Sequence, residues 1–537
     1  MLHLKETVLQ EQRRQWEEAG IRVYAFDREV VRKKTKETPQ WVHFGGGNIF
    51  RAFIARIYQE LLEQGKAKTG IIVAETYDEE VIEKVYRPFD DLSLAVTMYA
   101  DGRFMQEVVA SVTESYVCNK AFAEDWAELE RIFKNPSLQI ASFTITEKGY
   151  ALKDYRGEYF ADVADDMRHG PGVVKSTMGR IAALAYQRFL AGAYPLTFLS
   201  LDNCSKNGEK LCGALTAFAE QWVANGLAEK EFAAYLSNNE KTSFPWSMID
   251  KITPRSSERV KHLLEEMSFG DTEPIETKKG SYAAFVNAEK AEYLVIEEHF
   301  CNGRPPLESC GVLFTDRERV DRVERMKVGT CLNPLHTALA IYGCLLGYTL
   351  IADEMKDDRL KKLVERIAYR EGLPVVVDPG VLSPQTFVKE VLTERFPNPN
   401  LPDTPQRIAT DTSQKVGIRF GETIRAYGDK ASTLTYIPLV IAGWCRYLLG
   451  KDDQWQEFAV SPDPLLEELQ KELSGIRLGE PQTAKGKLRK ILSDEKIFGS
   501  NLYSIGLGEK IEGLFSEMLS ERGSVARLLE KYTATTD

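Results

Sequence analysis

The run Glu324–His336, E-R-M-K-V-G-T-C-L-N-P-L-H, sets a carboxylate, an amine, an amide and an imidazole within thirteen residues, directly ahead of the apolar stretch 337–351. Such groups could move a proton to or from an oxygen and hold that oxygen by hydrogen bonds. The same run also reads as a plain helix start, with Asn333 as cap and Pro334 in the first turn. Glu147 and Asn203 follow the strand-like runs 137–146 and 195–201. Ligands of open α/β sheets lie beyond such carboxyl ends. Arg407, Asp411 and Lys415 recur every four residues, which one continuous helix would present on one face. They are either a solvated salt-bridge ladder or two cations suited to hydroxyls or a carboxylate.

These groups need a scaffold, and its first unit is legible early. Trp41–Phe44 is apolar and ends in Gly45, Gly46, Gly47 and Asn48, then passes into a stripe of Ile49, Phe53, Ile57 and Leu61 flanked by Phe50 and Ile54. Strand, glycine turn and helix open a dinucleotide-binding unit, in which unpaired helix N–H groups meet a pyrophosphate. A plain tight turn is the alternative. The next strand, 70–74, ends at Glu75 with Asp78 close by. An acid there could accept a ribose diol and repel a 2'-phosphate, favouring NAD over NADP, or could be a solvated strand end. Asp101-Gly102 between two strand-like runs predicts a hairpin. Strands alternate with helices until about residue 300, after which helical periodicity dominates, so two domains are expected, 1–300 and 301–537.

Bulk properties exclude several classes. A net charge of -11 and pI near 5.4 argue against nucleic-acid binding, which needs a basic face. The eight cysteines form no C-x-x-C pair and there is no H-E-x-x-H, so no metal site is expected and a reduced, cytoplasmic protein is. The charged N-terminal stretch has no signal-peptide core, and the apolar runs 332–351 and 434–449 read as buried helices rather than membrane spans.

Read together, the motifs resemble one family, the long-chain polyol and hexuronate dehydrogenases to which mannitol 2-dehydrogenase and fructuronate reductase belong. The matching pieces are H-F-G-G-G-N-I-F-R-A-F from His43, T-I-T-E-K-G-Y from Thr144, D-N-C-S-K-N-G from Asp202 and F-P-W-S-M-I-D-K-I-T-P from Phe244. Y-L-V-I-E-E-H-F from Tyr293, G-R-P-P-L-E from Gly303, L-N-P-L-H from Leu332 and R-I-A-T-D-T-S-Q-K from Arg407 follow in order. The resemblance covers roughly residues 40 to 450; beyond it additional helices are expected.

The resemblance implies an α/β fold with a Rossmann-type N-terminal domain followed by a mainly α-helical C-terminal domain, with the substrate between them. It implies a zinc-independent, NAD-dependent oxidoreductase. By motif, Lys327 is the general acid/base, Asn203 and Asn333 polarise the reacting oxygen, His336 holds substrate and Glu147 serves proton exchange. Asp250, Arg407 and Lys415 match substrate contacts, and Glu324 an acid preceding the lysine. Gly45, Gly46, Gly47, Asn48, Ile49, Phe50, Arg51 and Glu75 are the expected cofactor contacts. His43 reads as structural.

Two departures qualify the match. G-N-I-F-R-A-F stands where the family usually has G-N-F-H-R-A-H, which keeps Arg51 and resembles the tagaturonate reductase branch. Lys327 also precedes Asn333 by six residues where the family has five. On a continuous helix the additional residue would turn the lysine by about 100°. The expectation is a non-helical kink at 328–331, absorbed near Gly329, that keeps Lys327 directed at Asn333 and His336. The implied activity is reduction of a ketohexuronate, fructuronate to mannonate first. Mannitol oxidation, tagaturonate reduction and an inactive sugar-acid or nucleotide-binding homologue are the alternatives. The partner is a small sugar acid or polyol, with neither nucleic acid nor membrane, and the protein is a monomer or small homo-oligomer.

Overall fold

In the computed structural model, which describes residues 1–534, the chain forms two compact units. The first comprises Met1–Met98 and Arg103–Asp321, the second Tyr99–Gly102 and the described residues from Arg322 onward.

The first unit is built on a parallel sheet of β1 (Trp41–Phe44), β2 (Ile71–Glu75), β3 (Val112–Val117), β4 (Ile140–Phe143), β5 (Leu196–Ser200) and β6 (Thr242–Ser243). Their order across the sheet is β3-β2-β1-β4-β5-β6, the doubly wound order of dinucleotide-binding domains. Both faces are covered, so β1 is buried at every residue and neighbouring side chains enter opposite cores. Val42 and Phe44 pack with the helices Ala123–Lys134, Thr177–Leu190 and Asn207–Ala224, and Trp41 packs with Ala55–Glu63. Each such fully buried large apolar side chain contributes about 1.5–3 kcal/mol.

The predicted hairpin forms, Ser93–Met98 pairing antiparallel with Phe104–Val109 inside a separate four-stranded sheet. A third sheet joins β7 (Ser247–Asp250), β8 (Tyr293–Glu297) and β9 (Leu313–Thr315). Because β9 pairs with β8, the segment after residue 300 remains in the first unit.

Helices dominate the second unit. The two apolar runs become Asn333–Leu346, stopped by Gly347 at φ +80°, and Tyr436–Tyr447, buried at every residue. Among the described residues no helix is long and apolar enough to cross a membrane. The stretch after 450 is helical in part, with Leu466–Glu472, Gly508–Met518 and Ser524–Ala534 its longest pieces.

Candidate active site

The carboxyl ends of β1, β2 and β4 enclose a cavity of about 690 Å³ in the first unit, where the strand order reverses. Gly45 and Gly47 line it, but the three glycines serve different ends. Gly45 has φ +105°, and a Cβ there would meet the Thr144 carbonyl oxygen at 2.2 Å. A Cβ on Gly46 would meet the Tyr86 ring at 2.8 Å, whereas Gly47 has nothing within 4 Å. Only Gly47 therefore leaves room for a ligand to approach the backbone. The buried Thr76 hydroxyl lines the same cavity and has no hydrogen-bond partner among the described residues. A dinucleotide fits this volume, this open glycine and this unmatched hydroxyl.

Glu75 lines the cavity but is already engaged. Its Oε2 accepts from Gly46 N at 2.8 Å, and its Oε1 from the N–H groups of Thr76 (2.9 Å), Tyr77 (2.8 Å) and Asp78 (3.3 Å). Burial pushes this carboxyl up from its ordinary range, and the four N–H donors pull the other way. Glu75 thus fixes the glycine turn. Asp78, which Thr277 and Tyr282 approach through their hydroxyls, is a second acid in the cavity.

Phe50 and Arg51 correct the expectation of cofactor contact. Both are buried away from the cavity, because the stretch Phe50–Ile54 is a π turn packed into the core. Phe50 stacks on His43 at 4.0 Å between centroids, and Arg51 donates to Ser93 Oγ (2.9 Å) and the Ala284 carbonyl (3.1 Å). Asn48 and Ile49 stand half-buried at the head of that helix. His43 is buried, bonded to Ser142 and Thr144, and burial lowers its pKa to about 3, so it is structural.

At the ends of β4 and β5 one carboxylate organises the backbone. Asp202 accepts from Ile145 N (3.0 Å), Thr146 N (2.8 Å) and Tyr150 Oη (2.5 Å), holding Thr146 at φ +64°. This fixes the short helix Thr146–Tyr150 that carries Glu147, while the exposed Asn203 is the next residue along. Glu147 is itself exposed and paired with Lys210. Asn207 then ties this loop to β7, donating to the Asp202 and Ser247 carbonyls at 3.0 Å each and accepting from Ser247 N. Asp250, buried, closes that strand opposite Tyr293.

In the second unit the additional residue is absorbed by a π turn. The helix Arg317–Met326 widens into Lys327–Cys331, with Leu332 N bonded to Lys327 O at 3.1 Å, before Asn333–Leu346 begins. The kink at 328–331 is therefore helical, a correction: an i→i+5 turn inserts one residue without leaving the helix. Gly329 permits it through packing, since a Cβ there would lie 3.0 Å from Glu422 Oε2. Lys327 is only 3 % exposed. Asn333 is the first helical residue and its side chain makes no cap; Leu332 occupies that position. The capping reading is overturned.

His336, one turn on, is half-buried against Phe396, and its buried Nε2 lies 3.5 Å from Asp403 Oδ2, a contact longer than a hydrogen bond. Burial first, then the charges of Arg419, Arg407 and Arg395, lowers its pKa to about 3, so the ring is neutral. Asp403 also pairs with Arg407, whose side chain is 61 % exposed. The ladder 407–415 is not one helix, again a correction. Pro405–Ile408 ends, Asp411 turns left-handed at φ +54°, and Lys415 precedes a new helix, Val416–Arg419. Lys415 nevertheless returns toward the arginines; burial and Arg419 depress its pKa.

Asp202, Asn207, Asp403 and Arg419 escaped the sequence reading. Asp202 and Asn207 stood inside a quoted motif. Asp403 and Arg419 simply continue the four-residue spacing of Arg407, Asp411 and Lys415 in both directions.

Comparisons with known proteins agree on one family. Residues 39–309 match the model of the mannitol dehydrogenase Rossmann domain and residues 319–513 that of the mannitol dehydrogenase C-terminal domain. The second match reaches well past residue 450, where the sequence offered no motif. The D-mannonate oxidoreductase of Thermotoga maritima is 53% identical over 99% of both chains. Among solved structures, a D-sorbitol dehydrogenase in substrate-free form superposes with a TM-score of 0.74 at 24% identity, over 93% of this chain and 98% of that one. The mannitol 2-dehydrogenase of Pseudomonas fluorescens, in ternary complex with NAD and D-mannitol, does so with a TM-score of 0.67 at 24% identity, over 99% and 100%.

Proposed function

The chain belongs to the mannitol dehydrogenase family, and from that premise we propose that this oxidoreductase is an NAD-dependent reductase of a ketohexuronate, converting fructuronate to mannonate and back. The observation that carries this reading is the 53% identity to a D-mannonate oxidoreductase over essentially the full length of both chains. A likeness that spans both units preserves the scaffolds of cofactor and substrate together.

The nicotinamide supplies the hydride when bound. Gly47, the glycine left open, would let the dinucleotide phosphates approach the backbone, Gly45 and Gly46 shape the turn by packing on Thr144 and Tyr86, and Glu75 keeps that turn in place. Lys327 gives a proton to the carbonyl oxygen as negative charge grows there and recovers one in the reverse direction. Asn203 and Asn333 donate amide N–H groups to the same oxygen, interactions that strengthen toward the transition state. His336, held neutral, hydrogen-bonds a substrate hydroxyl, and Asp250, Arg407 and Lys415 hold the remainder of the sugar acid. Glu147, exposed and paired with Lys210, exchanges protons with solvent. The eight cysteines are all free, which suits a cytoplasmic enzyme acting on a small molecule.

The test is NADH oxidation with fructuronate, tagaturonate and fructose, repeated with NADPH. Turnover of fructuronate with NADH is the expected result. Activity on fructose alone would assign the chain to polyol chemistry, and a preference for tagaturonate would move the substrate by one epimer.

A further inference from the structure

Arg419 is a guanidinium without a counter-ion. It is half-buried, and desolvation brings its pKa down to about 10, yet among the described residues no carboxylate pairs with it. Among the described residues its one hydrogen bond runs from Nη1 to the Thr337 hydroxyl. That hydroxyl in turn donates to the Asn333 carbonyl at 2.8 Å, so the guanidinium is moored one residue from His336 and one turn from Asn333. Desolvating a cation without a counter-ion is costly, and groups perturbed in this way cluster at functional sites.

The mooring is rigid. Arg419 closes the short helix Val416–Arg419 between two glycines packed backbone to backbone on the helix Glu495–Phe498. A Cβ on Gly417 would meet the Ile497 carbonyl at 2.6 Å, and one on Gly421 the Phe498 carbonyl at 2.5 Å. The stretch beyond residue 450 therefore fixes the backbone on both sides of the guanidinium. Lys415, one turn earlier, adds a second cation, its pKa lowered by burial and then by the charge of Arg419.

Resting on the sugar-acid reading above, we propose that Arg419 takes the carboxylate of the substrate and is the residue that selects sugar acids over sugar alcohols. With Nη1 committed to Thr337, the other N–H groups of the fork make no hydrogen bond among the described residues, and such a fork can grip a planar carboxylate through parallel bonds. Arg407, by contrast, is paired with Asp403 and exposed, so its charge is largely answered.

The experiment compares wild type, Arg419→Met and Arg419→Lys in NADH oxidation with fructuronate and with uncharged fructose, alongside thermal melting and NADH binding. Arg419→Met should raise KM for fructuronate roughly 10- to 100-fold with a smaller change in kcat, leaving NADH binding at its wild-type value and lowering kcat/KM for fructose far less than that for fructuronate. Arg419→Lys should recover part of the loss. Without substrate, Arg419→Met should melt no lower than wild type, because a partly desolvated charge with no counter-ion has been removed. Unchanged KM for fructuronate in a folded Arg419→Met protein overturns the proposal, as does a lowered melting temperature in both variants with unchanged KM. A wild type that reduces fructose and neither uronate overturns the substrate reading itself, and with it this assignment.

Discussion

Leu332 N donates to the carbonyl of Lys327 at 3.1 Å, one residue further than an α-helix reaches, and this bond closes the π turn that carries the lysine. The turn is wedged on two sides. Thr423 Oγ1 donates to the Gly329 carbonyl at 3.3 Å, and Thr330 packs so tightly on Gly372 that a Cβ there would come within 2.9 Å.

If the turn exists to aim the amine, two changes should act alike. Lys327→Ala should lower kcat/KM for fructuronate by about 10²- to 10⁴-fold while NADH binding, read by fluorescence titration, stays at its wild-type value. Deleting Val328 should do the same in a protein that still folds, because an α-helical turn rotates Lys327 by about 100°. Full activity in the deletion variant would show that the wide turn has no part in catalysis.

Asp403 touches both His336 and Arg407, so Asp403→Asn should disturb two substrate contacts at once. A loss of about tenfold in kcat/KM is expected, carried mainly by KM. Because the imidazole is neutral above a pKa of about 3, the wild-type pH–rate profile should carry no His336 inflection between pH 5 and 8. An inflection near pH 6.5 that His336→Asn removes would contradict this.

Glu75→Gln separates a turn anchor from a ribose ligand. The carboxylate is shared among four backbone N–H groups, so its loss should weaken NADH and NADPH binding alike, by about tenfold. A selective loss of NADH affinity, with NADPH improved, would restore the ribose role.

Glu354 is fully buried with neither oxygen hydrogen-bonded, and burial raises its pKa well above the carboxylate range. The sign follows from linkage: the folded state holds this proton more tightly than the unfolded chain. The stability associated with it is complete below the unfolded pKa and is lost as pH rises through the folded one. Glu354→Met should therefore stabilise the protein at pH 7, by about 1–4 kcal/mol, and the gain should shrink below about pH 4. Denaturant unfolding at both pH values checks it. Equal gains at the two would mean the carboxyl is ionised in the fold.

The doubly wound domain was legible because its determinants are local. Four consecutive buried residues in β1, a glycine turn and a period-four stripe state strand, turn and helix within a few tens of residues. The helical character of the second unit was legible for the same reason, as were the motifs that hold Lys327, Asn333 and His336. Sequence spacing even flagged the additional residue before Asn333. It could not say whether a kink or a π turn would absorb it, since that depends on Glu422 and Thr423, about ninety residues away, packing against Gly329.

What the sequence determined by itself is therefore which elements form and which chemical groups they carry, because backbone propensity and hydrophobic period act over short stretches. Which of those groups are spent on structure and which are left for a ligand was decided only by the tertiary fold. Glu75 and Arg51 looked like ligand contacts until long-range backbone groups were found bonded to them. Arg419 was not singled out by the sequence, and only the fold leaves it half-buried without a carboxylate partner among the described residues. Charge and hydrogen-bonding capacity are fixed by residue type, but their satisfaction is a property of neighbours brought together from distant parts of the chain.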